Sequence, residues 1–263
     1  MKRLLPILFL PAAFAGSLHD QSLELLLGRL FPQPAINYLL LDAASQDVIA
    51  SRWPEAGTAV PMGSLMKPFT ALAGAQTHRG PYPTFECRGT ANGCWSPRAH
   101  GRLAIEDAVA QSCNAYFLAL AAQTAGAHME PTLAEFNLPP PGKDTAGALI
   151  GLGGDWKVTP RTLATAYARL AGRRWDAAAR PLLAGMALSA ERGTGRAAGK
   201  PALAKTGTAP CTHARRQPGD GYAILLFPSE SPRYVLLVRV DGAPGSHAAA
   251  VGGRIMRTVL DGK

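Results

Sequence analysis

Apolar and polar residues follow two periods along this chain, one typical of helices and one typical of strands. Leucines recur on one helical face over Ser17–Leu30, which predicts a helix that covers a sheet. A second helix is predicted over Thr159–Ala171, because Thr159 suits the N-cap, Pro160 the first helical position and Gly172 the end. Four apolar runs of strand length are predicted as β-strands: Ala35–Leu41, Ala202–Thr208, Gly221–Phe227 and Arg233–Val240.

The rest of the chain is predicted to form a hairpin, loops and further helices. Asp42–Gln46 is typical of a turn and Asp47–Ser51 of a returning strand, so a hairpin precedes residue 61. Residues 80–101 are predicted as loop and 126–155 as short helical turns with loop, whereas Leu182–Leu188 fits a strand or a short helix. A helix that begins at Ser64 is expected to continue over Lys67–Thr77, and further helices are expected over Ile105–Ala110, Ala115–Ala125 and Ser246–Leu260. Short connections between the strands indicate an α+β fold with an antiparallel sheet.

The first fifteen residues have the pattern of a secretory signal. Lys2 and Arg3 precede the apolar run Leu4–Leu10, and Ala13-Phe14-Ala15 is a small-x-small cleavage site. We therefore expect export to the periplasm or cell envelope, with residues 1–15 removed and residues 16–263 folding as one domain. The apolar run is shorter than the roughly 20 residues that a membrane helix needs.

The charge balance fits either an anionic partner or an Arg-rich surface that only contacts solvent. With 27 Lys and Arg against 18 Asp and Glu, the net charge is +9, which suits nucleic acid, acidic lipid or an acidic wall polymer. The chain has no nucleic-acid-binding motif, and an export signal argues against that partner. We expect no nucleic-acid partner.

Four cysteines in an exported chain permit disulfides. Cys87 and Cys94 flank a turn-rich loop that could close on itself, so they are the expected pair, while the state of Cys113 and Cys211 stays open. The six histidines lack the i, i+4 spacing of a helical metal site. No metal and no cofactor is predicted.

The strongest chemical signal is the segment Pro61–Thr70, which contains Ser-x-x-Lys. If a helix begins at Ser64, Lys67 lies on the same face, about 5–6 Å away between Cβ atoms. A serine hydroxyl becomes a nucleophile when a neighbouring base takes its proton, and a neutral lysine can be that base. Alone, the motif also fits an ordinary N-cap serine followed by an exposed lysine.

Two later motifs strengthen this interpretation. Ser112-Cys113-Asn114 follows Ser64 by 48 residues, and the segment that begins at Lys205 as Lys-Thr-Gly-Thr follows Ser112 by 93 residues. Ser-x-x-Lys, Ser-x-Asn and Lys-Thr-Gly together form the signature of penicillin-binding proteins and class A β-lactamases. The order also fits, with the first two motifs at helix starts and the third on a strand.

Over residues 35–260 the chain resembles the transpeptidase domain of high-molecular-weight penicillin-binding proteins. Besides the three motifs, the Cys87–Gly101 region and the glycine-rich segment Gly151–Pro160 carry the resemblance. It implies a five-stranded antiparallel sheet flanked by helices with a helical lobe, as in the D,D-peptidase and β-lactamase-like fold. It also implies peptidoglycan stem peptides as substrate, β-lactam antibiotics as covalent inhibitors and a possible cell-wall synthesis complex.

The resemblance assigns a role to each motif residue. Ser64 is the expected nucleophile toward a D-Ala-D-Ala bond, Lys67 its base, Ser112 the proton relay and Asn114 the group that orients Lys67. For Lys67 to be a base at neutral pH, burial and a cation such as Lys205 must lower its pKa. Lys205, which begins the third motif, is counted with these catalytic residues. The expected substrate-binding residues are Thr206, Gly207 and Thr208, and the two threonine hydroxyls, with Lys205, suit the terminal carboxylate of the substrate.

The sequence leaves related functions open. A D,D-carboxypeptidase or a β-lactamase would share the acylation step, and Glu130 or Glu135 could then activate a water. A non-catalytic binder of β-lactams or stem peptides would keep only the fold. Only about 48 residues separate the predicted cleavage site from Ser64, so we expect nearly a bare catalytic domain. The stretch after the third motif lacks the aromatic-Phe-x-Gly pattern of the family, which leaves the acceptor strand and membership in a wall-building complex open.

Overall fold

In the computed structural model, residues 18–54, 56–78, 81–124, 129–211 and 219–262 are described. The predicted signal segment and Arg215-Arg216 lie outside these ranges. The described helices are α1 Leu18–Leu30, α2 Lys67–His78, α3 Ile105–Ala110, α4 Asn114–Ala122, α5 Glu130–Phe136, α6 Ala146–Leu149, α7 Pro160–Gly172, α8 Ala179–Arg192 and α9 Gly245–Asp261. The strands are β1 Ile36–Asp42, β2 Val48–Arg52, β3 Val60–Pro61, β4 Phe85–Cys87, β5 Gly101–Leu103, β6 Lys157–Val158, β7 Leu203–Ala209, β8 Asp220–Phe227 and β9 Tyr234–Val240.

Five strands form one sheet in the order β2-β1-β9-β8-β7, and every neighbouring pair is antiparallel. This arrangement confirms the α+β prediction with a five-stranded antiparallel sheet and flanking helices. The third motif lies on β7, which is an edge strand of that sheet. Two short strand pairs, β3 with β6 and β4 with β5, lie in the helical lobe.

The sheet separates two hydrophobic cores, since alternate side chains of each strand point to opposite faces. On β9, Val235 and Leu237 pack with the helical lobe, while Leu236 and Val238 pack with α9 and with Leu27 of α1. Both faces are covered, so the strands are apolar throughout. The predicted role of the amino-terminal helix as a cover for the sheet is confirmed.

Tertiary packing decided the elements that the sequence left open. Leu182–Leu188 lies inside the 14-residue helix α8, whose Leu182 and Met186 are buried one turn apart. The predicted loop 80–101 contains the paired strands β4 and part of β5, each only three residues long, too short for a periodic signal. Thr159 accepts a hydrogen bond from the Thr162 N–H at 3.1 Å, which confirms the predicted N-cap of α7.

No helix in the described ranges is both long enough and apolar enough to cross a membrane.

Candidate active site

The first motif lies in a tight turn that leads into α2. Gly63–Met66 form a 3₁₀ turn, and the Lys67 N–H donates to the Ser64 carbonyl. Side chains three residues apart eclipse one another in a 3₁₀ turn, so Ser64 and Lys67 share one face. The helix itself begins at Lys67 rather than at Ser64, which corrects the predicted start. Ser64 is half-buried, whereas Lys67 is fully buried.

Lys67 is held by the second motif. Its Nζ donates to the Ser112 carbonyl at 2.8 Å, to Ser112 Oγ at 3.3 Å and to Asn114 Oδ1 at 2.6 Å. Burial lowers the pKa of Lys67 to about 7, although Cys113 and Cys94 act in the opposite direction. Burial, rather than the charge of Lys205, is therefore the main cause of the predicted shift. Near neutral pH this amine can both accept and return a proton.

Ser112 connects the two buried lysines. Lys205 Nζ donates to Ser112 Oγ at 2.7 Å and to the Thr206 carbonyl at 2.7 Å. Burial and the charge of Lys67 hold the pKa of Lys205 well below its ordinary value. Ser112 has a left-handed backbone with a φ of 49°, which is uncommon for a residue other than glycine and is found at functional sites. Ser112 thus joins the first and third motifs through one hydroxyl.

The edge strand β7 packs directly against the Ser64 turn. A Cβ on Gly207 would lie 2.8 Å from the Met62 carbonyl oxygen, and a Cβ on Gly63 would collide with the Thr208 carbonyl. Gly63 and Gly207 allow this approach, because a side chain at either position would force the two backbones apart. The backbone of Ser64 is therefore held beside that of Thr208. The three predicted motifs converge in one place.

The two threonines of the third motif lie in different environments. Thr208 is exposed, and its Oγ1 accepts a hydrogen bond from the Gly245 N–H at 3.2 Å. Thr206 is 5% exposed, and its hydroxyl donates to Thr194 Oγ1 at 2.6 Å. Of the two hydroxyls, that of Thr208 is the one open to a ligand.

Three positioning contacts were not predicted from the sequence, because each joins residues that are distant in the chain. Thr194 bonds Thr206 and donates through its N–H to the Ala110 carbonyl at 3.0 Å, so it links β7 to the end of α3. Tyr167 donates its hydroxyl to the Leu65 carbonyl at 2.7 Å, beside Ser64. Gly151, with φ of 81°, lies so close that a Cβ would collide with the Gly63 carbonyl. The resemblance includes Gly151, but nothing in the sequence indicates its contact with Gly63 or the hydrogen bonds of Thr194 and Tyr167.

The two glutamates considered as hydrolytic bases lie on α5, away from the motifs. Glu135 pairs with Arg173 at 2.6 Å and lies within 3.5 Å of the Gln76 side chain. Gln76 is nine residues after Lys67 on α2, a distance of about 13 Å along the axis. Glu130 is exposed in the first turn of the same helix. Neither carboxylate is placed to direct a water at Ser64.

Two aromatic residues near the second motif, Tyr116 and Trp95, lie in different environments. Tyr116 is 1% exposed and donates to the Pro83 carbonyl at 2.7 Å, which places it in the core. Trp95 is 54% exposed and donates to the carbonyl of Gln111, the residue before Ser112, at 3.2 Å. Trp95 is thus the one of these two that presents a surface beside the second motif.

The predicted disulfide between Cys87 and Cys94 is wrong. Both side chains are free thiols. Pairing of β4 with β5 brings His100 beside Cys87, and the start of α4 brings Cys113 beside Cys94, so each thiol has other neighbours. Cys211 forms no disulfide either, and its Sγ donates to Asp220 Oδ1 at 2.9 Å.

A comparison with models of protein families finds a match that includes the first two motifs. Residues 48–174, which carry the first two motifs, match the family model described as the penicillin-binding protein transpeptidase domain. This segment belongs to the penicillin-binding protein transpeptidase family. The third motif lies beyond the matched residues, and the structure places it against the Ser64 turn and Ser112.

Solved structures share the whole fold at low identity. The transpeptidase domain of Burkholderia pseudomallei penicillin-binding protein 3 is 20% identical, with a TM-score of 0.73 over 92% of each chain. Pseudomonas aeruginosa PBP2 is 17% identical, with a TM-score of 0.73 over 93% of this chain and 73% of that one. PBP2 of Helicobacter pylori, solved with MreC, is 15% identical, with a TM-score of 0.78 over 92% of this chain and 63% of that one. A comparison with curated protein sequences finds no match.

Proposed function

We propose that this chain is a serine-type D,D-transpeptidase that cross-links peptidoglycan stem peptides ending in D-Ala-D-Ala. The observation that supports it most directly is the network that joins Lys67, Ser112 and Lys205, with the Ser64 turn packed against the edge strand β7. A nucleophile, two tuned amines and a free sheet edge are the parts that acyl transfer to a peptide requires.

In the proposed acylation step, Ser64 Oγ attacks the carbonyl carbon between the two D-alanines. Neutral Lys67 takes the hydroxyl proton as the oxygen–carbon bond forms, which generates a tetrahedral oxyanion. The backbone N–H groups of Ser64 and Thr208 would stabilise that oxyanion, an effect worth about 3–4 kcal/mol per donor in related chemistry. Ser112 then gives its hydroxyl proton to the departing D-Ala amine as the carbon–nitrogen bond breaks, and protonated Lys67 replaces that proton and becomes neutral again.

In the second step an amine from a neighbouring stem peptide attacks the ester carbonyl. The ester bond breaks, the new amide forms, and Ser64 recovers its proton. The donor peptide would lie along β7 as an added strand, with its terminal carboxylate near Lys205 and Thr208. The role predicted for Thr206 would require its hydroxyl to leave Thr194, so we assign the carboxylate contact to Thr208.

β-Lactam antibiotics would acylate the same serine. Opening of the lactam ring leaves the amine tethered to the acyl group, so the ester persists unless a water is activated against it. Because Glu135 is paired with Arg173 and Glu130 lies on the same distant helix, we expect a persistent adduct rather than the turnover of a β-lactamase.

The decisive experiment is labelling of the purified protein with a fluorescent penicillin. We expect one stable adduct per chain, located on Ser64 by mass spectrometry of the digested protein. The Ser64→Ala variant should show no adduct, while the matched control Ser51→Ala, on the opposite edge strand β2, should label normally. Labelling of Ser64→Ala at the normal rate, or rapid hydrolysis of the adduct, would contradict the proposal.

Product analysis separates the transpeptidase from a D,D-carboxypeptidase. With a stem pentapeptide and an acceptor amine, we expect a cross-linked product together with release of D-Ala. Release of D-Ala with water as the only acceptor would assign a carboxypeptidase instead. Binding of the peptide with no release of D-Ala would assign a non-catalytic binder.

The setting of this activity is part of the same proposal. We infer that residues 1–15 direct export and that the remaining residues act in the periplasm or cell envelope, where the substrate lies. One similar structure, that of H. pylori PBP2, was solved with MreC, and another is described as a peptidoglycan synthase complex, so membership in a synthesis complex is proposed here as well. A mature amino terminus at Gly16 in the exported protein would support this assignment.

A further inference from the structure

Three thiols and one imidazole meet beside the second motif, and the acyl-transfer network does not use them. Cys87, Cys94, His100 and Cys113 each offer one ligand atom, and these four atoms lie within 4.8 Å of one another. The three cysteines are 0–5% exposed, and His100 is half-buried. A thiol is a weak hydrogen-bond donor, so hydrogen bonding alone gives little reason to bury three of them together.

We propose that these four residues bind one Zn²⁺ ion as a structural site. In a tetrahedral site, Zn–S bonds of about 2.3 Å and Zn–N bonds of about 2.0–2.1 Å place sulfur atoms about 3.8 Å apart and sulfur about 3.6 Å from nitrogen. The Cys94 and Cys113 sulfurs are 3.8 Å apart, and His100 Nδ1 lies 3.4 Å from Cys87 Sγ and 3.6 Å from Cys94 Sγ. These three separations are within about 0.2 Å of the distances in a tetrahedral site.

The local backbone explains how the four ligands are presented. Cys87 pairs with Gly101 across β4 and β5, so His100 emerges next to Cys87. A 3₁₀ turn over Gly89–Asn92 brings the chain back, and the Cys94 N–H donates to the Gly89 carbonyl at 3.1 Å. Cys113 occupies the N-cap position of α4. Two loops and one helix start thus converge on one point.

The surroundings of Cys94 also fit a thiolate ligand. Backbone N–H groups of Ser96, Asn114 and Ala115 donate to its sulfur, as is common for charged sulfur atoms. A set of three soft sulfur ligands and one imidazole in tetrahedral geometry favours Zn²⁺ over Mg²⁺ or Ca²⁺. Binding would release the three thiol protons to solvent, leaving three thiolates and a neutral imidazole on the metal. The site would then be full, with no open position for a reacting water.

The position of Cys113 links the metal to the active site. Its neighbours in the chain, Ser112 and Asn114, are the two residues that hold Lys67. A metal bond to Cys113 would fix this three-residue segment, including the left-handed backbone of Ser112. We therefore expect zinc to position the proton relay, an effect that rests on the function proposed above.

The first test measures metal without any substrate. The full chain, purified without chelators, should contain about one zinc per molecule by elemental mass spectrometry. Cys87→Ser and His100→Ala should lose most of this zinc, while the matched control Cys211→Ser should retain it, because Cys211 lies outside the cluster. Cobalt added to the metal-free wild-type protein should give the intense visible bands of a tetrahedral thiolate site, which tests the geometry even if a variant fails to fold.

Several results would overturn the site. These are a wild-type protein with no bound metal after zinc is supplied, an octahedral cobalt spectrum, iron or copper in place of zinc, or a disulfide between two of the three cysteines in freshly purified protein. None of these measurements involves Ser64, so they test the zinc site independently of the proposed transpeptidase activity.

The second test concerns coupling to catalysis. Removal of zinc with a chelator should slow acylation of Ser64 by the fluorescent penicillin at least about 10-fold, and added zinc should restore the rate. A merely adjacent metal would leave the acylation rate unchanged, and that result would contradict the coupling while leaving the zinc site itself intact.

Discussion

At the scale of single residues, the site depends on two lysines that are removed from water. Lys67 and Lys205 are both 0% exposed, and both approach Ser112 Oγ. A buried amine is costly to charge, and two neighbouring charged amines also repel each other. The protein therefore keeps at least one amine ready to be neutral near pH 7, which is the state that a base must have.

This arrangement predicts the pH dependence of acylation. Because burial lowers the pKa of Lys67 to about 7, the rate with a fluorescent penicillin should fall roughly 10-fold per pH unit below that value and level off above it. Lys205, Cys113 and Cys94 are the titratable groups nearest Lys67 that enter this balance. Rate constants measured between about pH 5 and 9 give the midpoint.

The matched control is Lys67→Ala, which should be nearly inactive at every pH in that range. A wild-type rate that continues to climb toward the ordinary lysine pKa of 10.5 would show that Lys67 is not the base in its lowered state.

At the scale of elements, the decisive contact is between the turn Gly63–Met66 and the edge strand β7. An edge strand leaves backbone groups free for an added peptide strand, and β7 combines this edge with the third motif. The contact depends on Gly63, which has φ of 56° and leaves no room for a Cβ beside the Thr208 carbonyl. Side chains alternate between the two faces of a strand, so Lys205 points to the same face as Leu203, which packs against the helical lobe.

Substitution of Gly63 tests this contact. Gly63→Ala should destabilise the protein by about 1–3 kcal/mol, because alanine is strained at positive φ and its methyl group would push the turn away from β7. The same displacement should lower the acylation rate of the folded fraction. Thermal unfolding and penicillin labelling measure the two effects separately.

The control for this substitution is Gly28→Ala in α1. A Cβ at Gly28 has no atom within 4 Å, and alanine favours a helix interior, so stability should stay level or rise by up to about 1 kcal/mol. Equal effects of the two substitutions would argue against the proposed contact.

At the scale of the whole molecule, the sheet isolates the site from the second core. The three motifs face the helical lobe, whereas α1 and α9 cover the opposite face. The amino-terminal helix contributes Leu23 and Leu27 to that second core and exposes Leu25. Stability and catalysis should therefore respond separately to changes in α1.

The substitution Leu27→Ala should cost about 2–5 kcal/mol of unfolding free energy, because Leu27 is 0% exposed and its removal leaves a cavity. The acylation rate constant of the protein that remains folded should not change. Denaturant unfolding and penicillin labelling at low temperature check both statements.

Leu25→Ala, at a position 66% exposed, is the matched control and should change stability little. A large loss of acylation rate in folded Leu27→Ala would show that the two faces of the sheet are coupled.

The sequence by itself determined the helices with strong caps, the longer strands, the antiparallel sheet and the three sequence motifs of the candidate site. These features follow from local period, turn residues and short motifs: Lys67 is three residues after Ser64, and the N-cap Thr159 directly precedes Pro160. The motif residues could be named because Ser-x-x-Lys, Ser-x-Asn and Lys-Thr-Gly are short patterns that together form a known signature.

Only the tertiary structure decided which distant residues touch. The Cys87–Cys94 spacing fits a loop disulfide, but strand pairing and the start of α4 surround each thiol with His100 and Cys113 instead. Thr194 and Tyr167 act through hydrogen bonds to residues 12 and 102 positions away, and burial of Lys67 depends on the whole lobe. Contacts of this kind depend on packing across the fold, which no local pattern in the chain contains.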